Sequence, residues 1–182
     1  TDTNKFYFIE VNPRIQVEHT CTEQVTGVDL IRSQILVAQG RTLADPLIGL
    51  SSQESIQTHG YAIQCRVTTE DPTNKFLPDY GRLTHYRSSG GPGVRLDAGS
   101  AFSGAVVTPY YDSLLAKLIC QGRDRDEAIR RMQIALESFI VEGVTTTIPF
   151  LARVMHNAEF QAGKVDTKFL EREGAALIAE LT

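Results

Sequence analysis

The sequence predicts an α+β fold, and three observations carry that prediction. Short runs rich in β-branched and aromatic residues lie at Phe6 to Val11, Gly60 to Thr68 and Leu114 to Cys120, the composition of strands. Segments behind Asp29 and Asp124 place apolar residues at helical spacing. Polar and glycine-rich connectors separate the two kinds of element, with no internal repeat and no low-complexity tract.

Composition narrows the function classes. The 182 residues suit one domain, or one and part of another. Hydrophobic residues at 42% and charged residues at 22% exclude disordered and collagen-like chains. A net charge of −4 speaks against a nucleic-acid partner. No apolar run reaches the ~18 residues of a membrane span, and no signal-peptide pattern opens the chain, so a soluble intracellular domain with no membrane partner is expected. Cys21, Cys65 and Cys120 are far apart and form no CxxC pair, which predicts small buried hydrophobes rather than zinc ligands or a disulfide framework. Thr1 in place of an initiator Met, with an apolar strand close behind it, reads as a piece of a longer polypeptide.

Taken in order, Phe6 to Val11 is expected as a buried strand, followed by a polar loop. Leu30, Ile31, Ile35 and Ala38 share a helix face, which Asp29 caps and Gly40 stops. Residues 44–58 are small, polar and turn-forming, and the domain boundary is placed there, giving units 1–57 and 58–171 and a terminal helix at 172–182. Beyond it, Gly60 to Thr68 alternates Ala62, Gln64 and Arg66 against Tyr61, Ile63, Cys65 and Val67. Strands near 82–87 and 93–97 flank the Gly90-Gly91-Pro92-Gly93 turn, and Leu114 to Cys120 is a further strand. Asp124 with Glu127 resembles a capping box. The helix behind it buries Ala128, Met132, Ala135 and Phe139 and is expected to end at Gly143. Helices are predicted over Ile148 to Met155 and Phe169 to Leu181.

The densest polar pattern is Glu10 to His19, in which Glu10, Asn12, Arg14, Gln16 and Glu18 alternate with Val11, Pro13, Ile15 and Val17. In extended chain this puts two carboxylates, two amides and a guanidinium on one face. A solvated edge would favour Lys, Thr and Ser. Full extension separates Glu10 from Glu18 by ~26 Å, too far to share an ion, and Pro13 makes a bend plausible. Two adjoining subsites fit better. Glu10 and Asn12 offer hard oxygen ligands suited to Mg²⁺ with phosphate oxygens. Arg14, Gln16 and Glu18 form an anion-binding and proton-abstracting set, the Arg fork matching a planar oxyanion.

These residues also carry a resemblance. FYFIEVNPRIQVEHTCTEQVTGVDL resembles the end of the ATP-grasp domain of biotin carboxylase. IQCRVTTEDP, GGPGVRLD, VVTPYYDSLLAKLI and VDTKFLE continue the likeness over nearly the whole chain, weakening after about Glu173. A bare E-x-N-x-R is shared with other ATP-grasp ligases, whereas the following IQVEHT is particular to biotin-dependent carboxylases. RVTTEDP and SAFSGAVVTPYYDSLL most resemble the pyruvate carboxylase branch. The implied fold is the C-terminal part of an ATP-grasp domain followed by the mixed sheet-and-helix biotin carboxylase C-terminal domain.

The resemblance implies a ligase that carboxylates biotin at the expense of ATP and bicarbonate, through carboxyphosphate, and feeds the carboxylation of pyruvate to oxaloacetate. It makes Glu10 a ligand of Mg²⁺ (or Mn²⁺) with Asn12 close to it. It assigns bicarbonate to Arg14, Gln16 and the backbone amide of Val17, the base to Glu18, and the biotin enolate to Arg95. Ile9 and Thr167 correspond to positions around adenine. The biotin is carried elsewhere, on a carrier domain, and the implied location is the cytoplasm, or the mitochondrial matrix in a eukaryote. The upstream ATP-grasp segment with its lid and lysines, a second metal-binding carboxylate, the biotin-accepting lysine and the carboxyltransferase are expected outside these residues, so that the chain alone should have little activity.

Competing readings remain open at this point. The acceptor could be that of an acetyl-CoA, propionyl-CoA or 2-oxoglutarate carboxylase, or the chain could be a non-catalytic oligomerisation piece. Arg95 could simply pair with Asp97, and the Gly90–Gly93 turn lacks the spacing and Lys of a P-loop. His59, His85 and His156 read as structural, and His19 as a support for Glu18. Tyr110 and Tyr111 are expected to pack. The charged face from Arg123 to Arg131 is expected to be solvated, or, by the resemblance, to take part in a homo-oligomer.

Overall fold

The computed structural model describes residues 5–99 and 101–181. Its centre is a three-stranded antiparallel sheet in the order β1-β8-β6, built from β1 (Tyr61–Thr68), β6 (Val94–Ala98) and β8 (Leu114–Gly122). Short ribbons surround it: β2 (Glu70–Asp71) pairs with β3 (Leu77–Pro78), β4 (Gly81–Arg82) with β7 (Val106–Val107), and β5 (His85–Arg87) with β9 (Ile140–Glu142). The helices are α1 (His19–Thr26), α2 (Leu30–Ala38), α3 (Arg125–Ser138), α4 (Ile148–His156), α5 (Ala158–Gln161) and α6 (Phe169–Ala179).

Register decides what each sheet face does. Cys65 lies opposite Leu118 and Leu118 opposite Leu96; Val67 opposes Ala116, and Ile63 opposes Cys120. Successive side chains alternate faces, so this set forms one apolar surface. Against it α3 lays Ala128, Met132, Ala135 and Leu136, all buried, and α4 adds Phe150, Val154 and Met155. The opposite face carries Gln64–Ile119–Arg95 and Arg66–Lys117–Asp97 in cross-strand rows. Helix α1 covers this polar face, where Thr20 Oγ1 donates to Gln64 Oε1.

Capping follows the sequence closely. Asp29 Oδ1 accepts from Arg32 N at 2.8 Å, and Asp124 Oδ1 from Glu127 N at 2.8 Å. The Glu127 carboxylate returns to Arg123 N at 2.7 Å, one residue before the position a capping box would use. Gly27, at φ 71°, ends α1.

Several expectations are corrected. Phe6 to Val11 is not a strand, and Phe6, Tyr7, Phe8 and Ile9 are exposed. β-composition supplies a pleated surface, but a ladder needs a neighbouring strand, and none of the described residues provides one. The polar loop contains α1, because the 3.6-residue pattern there is carried by polar as well as apolar residues. Helix α3 ends at Ser138 rather than Gly143. Phe139 leaves the helix in extended geometry, and Ile140 to Glu142 pair with β5 instead. Tyr110 and Tyr111 do not pack; each is 85% exposed. The face of α3 is not merely solvated either. Arg125 donates to the carbonyls of Phe160 and Gln161 at 2.5 and 2.7 Å and lies over the Phe160 ring.

Candidate active site

The segment from Glu10 to Glu18 is extended only in part. It bends at Arg14, turns at Val17–Glu18 and enters α1 at His19. The bend at Arg14 directly follows Pro13, which has no amide to place in a ladder. Asn12 Nδ2 donates to Glu10 Oε1 at 3.4 Å, so these two side chains do sit together. The bond turns the amide nitrogen toward the carboxylate and leaves the amide oxygen available. One carboxylate and one amide oxygen suit Mg²⁺ completed by phosphate oxygens. Among the described residues no group of three or more His, Cys, Asp or Glu could hold a metal ion by itself.

Farther along, Arg14 Nη1 donates to the Ile15 carbonyl at 3.2 Å, and its side chain is exposed. Among the described residues Gln16 Nε2 is buried with no hydrogen-bond partner. Among the described residues the neighbouring Val17 amide finds no backbone acceptor. A buried donor without a partner thus stands beside an arginine and a backbone amide, and such a donor in a folded chain calls for a ligand or water. Glu18 closes the segment at the N-terminal end of α1. There it meets Arg66 of β1, with Oε1 2.8 Å from Nη2.

A second set lies deeper along the same helix. Glu23, about a turn past His19, accepts from Arg95 Nη1 at 2.7 Å through Oε2 and from Leu30 N at 2.7 Å through Oε1. Asp97 grips the other side of Arg95, with Oδ1 to Nε at 2.7 Å and Oδ2 to Nη2 at 3.0 Å. Lys117 Nζ stands 3.3 Å from Asp97 Oδ2. His19 Nδ1 lies 2.6 Å from the Gln16 carbonyl, and its Nε2 is 4.0 Å from Glu23. Burial pushes the Asp97 carboxyl up, but Arg95 and Lys117 outweigh it and hold the group below its ordinary range. The hydrogen bonds that Arg95 donates to Asp97 and Glu23 in turn hold it firmly charged. Arg95, Asp97, His19 and Glu23 face a cavity of about 660 Å³ that also takes in Arg32 and Asp29 of the α2 end.

Glu10 with Asn12, and Arg14 through Glu18, are therefore neighbours in one short segment, and α1 links that segment to Arg95. Ile9 and Thr167 are not brought into this group. Ile9 is 88% exposed, and Thr167 is exposed in the turn before α6. Glu23, Arg66 and Lys117 were not singled out by sequence. The i, i+4 spacing of His19 and Glu23 is the one local signal that could have found the first. Arg66 and Lys117 are recognisable only once the strands are in register. The thiols behave as small hydrophobes: burial pushes Cys65 and Cys120 up to about 12.

A two-layer α+β domain joined to a segment of carboxylate, amide and guanidinium side chains defines a class. The chain belongs to the biotin carboxylase C-terminal domain family, whose family profile matches residues 64–172. Residues 1–45 match the ATP-binding domain of the carbamoyl-phosphate synthase L chain. Within the class the likeness is to pyruvate carboxylases. The Bacillus subtilis pyruvate carboxylase is 54% identical over 168 residues, which is 92% of this chain and 15% of that protein. The chain thus spans about one-seventh of the length of such relatives. The complete multifunctional pyruvate carboxylase of Rhizobium etli superposes with a TM-score of 0.90 at 50% identity, covering 93% of this chain and 17% of that one. The biotin carboxylase domain dimer of Hydrogenobacter thermophilus 2-oxoglutarate carboxylase, in complex with MgADP, ADP and bicarbonate, superposes at 0.89. Its identity is 43%, covering 97% of this chain and 37% of that one.

Proposed function

We propose that the chain contributes part of the biotin carboxylase site of a pyruvate carboxylase, where ATP and bicarbonate carboxylate a carrier-bound biotin. The observation that carries this reading is the buried Gln16 Nε2, without a partner among the described residues and set next to the Val17 amide between Arg14 and Glu18. Bicarbonate is a small planar anion that suits such donors, and the 2-oxoglutarate carboxylase domain above is described with bicarbonate bound.

In this reading Arg14, Gln16 and Val17 hold bicarbonate, and Glu18 removes its proton. The resulting oxyanion attacks the γ-phosphorus of ATP, the bond to ADP breaks, and carboxyphosphate forms. It then breaks down to CO₂ and phosphate; the released phosphate takes the proton from the ureido nitrogen of biotin, and the nitrogen anion bonds to the CO₂. Arg14 offsets the charge that deprotonation creates, and fixed donors are most effective where charge develops. Glu10 and Asn12 would hold the metal, Mg²⁺ or Mn²⁺, which neutralises the phosphate oxygens. Ile9 and Thr167 would border adenine, and Arg95 would steady the enolate-like biotin anion.

Residues 1–57 would close the ATP-grasp domain and residues 58–171 form the C-terminal domain, ended by 172–182; the family matches fall on either side of residues 46–63. The upstream ATP-grasp segment and the carrier would be partners within the complete enzyme. The same half would support a homo-oligomer, in the bacterial cytoplasm or the mitochondrial matrix. Alone, the 182 residues would show little turnover, because ATP needs the rest of its domain.

The test is bicarbonate-dependent ATP hydrolysis by the chain joined to its upstream segment, with and without free biotin. Biotin should stimulate the wild type, and Glu18→Gln should lower the rate on the order of 10²- to 10⁴-fold, the usual contribution of a general base. Hydrolysis that ignores biotin, or a Glu18→Gln variant of undiminished rate, would reduce the reading to an ATP-grasp ligase of another acceptor.

A further inference from the structure

We propose that Glu23 is a positioning residue that aims the Arg95 guanidinium for the biotin half-reaction; the inference rests on the reading of Arg95 given above. Glu23 has a side chain only 8% exposed, and each of its oxygens is committed to a different task. Oε1 takes the Leu30 amide at the start of α2, one of the N–H groups that a helix leaves without an internal partner. That bond fixes the carboxylate plane independently of Arg95. Oε2 is then left facing Arg95 Nη1 at 2.7 Å.

Three of the five guanidinium N–H bonds are thereby occupied. Asp97 takes those on Nε and one on Nη2, and Glu23 takes one on Nη1. One N–H on each terminal nitrogen remains, on a side chain that is still 30% exposed at the edge of the cavity between α1, α2 and β6. Glu23 and Asp97 balance the charges of Arg95 and Lys117, so the value of Arg95 to an anion lies in directed donors more than in net positive charge. Directed donors help only if they are held still. Asp97 alone grips one edge of the fork, leaving rotation of the long side chain about its stem; Glu23 approaches from a different element and removes that freedom. The arrangement also ties α1, which Glu18 immediately precedes, to the strand that carries Arg95.

Glu23→Gln in the chain joined to its upstream segment is the clean substitution. The amide oxygen can still accept from Leu30 N, while the amide nitrogen confronts Arg95 Nη1 as donor against donor. The expected result is a fall in kcat for biotin-stimulated ATP hydrolysis on the order of 10- to 100-fold, the scale of a misplaced catalytic group. The KM values for ATP and bicarbonate and the biotin-independent rate should be unchanged. In an Arg95→Ala background, Glu23→Gln should produce no further fall. Glu23→Asp, which keeps the charge, should recover part of the lost kcat, and it serves as the test variant should the Gln protein not fold. Equal falls in both backgrounds, or a rise in the KM values instead of a fall in kcat, would overturn the positioning role. Biotin stimulation that survives Arg95→Ala alone would instead overturn the role of Arg95 on which the inference stands.

Discussion

Glu127 accepts from the Arg123 amide and from its guanidinium, and Arg131 adds a second cation. The Arg123 amide is the largest influence, the Arg123 guanidinium follows, and together they hold the carboxyl at about 2, below its ordinary 4.5. A carboxylate depressed in the folded state stabilises it fully above its unfolded value and loses that contribution as pH falls toward the folded one. The melting-temperature gap between wild type and Glu127→Gln should therefore be largest above about pH 5 and close as pH approaches 2. A gap that widens on acidification would contradict this pairing. At the same scale, the candidate site was partly legible in sequence. Glu10 through Glu18 stood out because acids and amides alternate there without the usual Lys and Thr. Glu23 did not, because a single glutamate in a polar helix has no local mark of burial.

The elements were legible where local chemistry decides them. Asp29 and Asp124 cap α2 and α3 as their positions before apolar periodicity suggested. The end of α3 was misplaced because Gly143 has a different duty. At φ 97° it forms the turn after β9, and a Cβ there would overlap the Arg82 carbonyl. Gly143→Ala should destabilise by about 1–3 kcal/mol through left-handed strain and that overlap, measured by denaturant midpoint. A neutral result would mean the turn can shift away from β4.

Across the whole molecule, α3 and α4 bury one face of the β1-β8-β6 sheet while α1 covers the other. Leu118 sits at the middle of the apolar face, fully buried between Cys65 and Leu96. Leu118→Ala should cost about 2–5 kcal/mol by creating a cavity in tight packing. A loss below ~1 kcal/mol would show a core able to collapse around the gap.

By itself the sequence determined the α+β class, the helix caps, the alternation along β1 and the polar segment from Glu10 to Glu18. Each rests on neighbours within a few residues, where periodicity and side-chain chemistry act directly. Tertiary structure alone decided that Phe6 to Val11 has no ladder, that Arg66, Lys117 and Asp97 share one row, and that Glu23 meets Arg95. Those outcomes depend on strand register and on contacts between elements up to 72 positions apart. A one-residue slip in pairing would send the whole polar row to the other face, and no local pattern forbids such a slip.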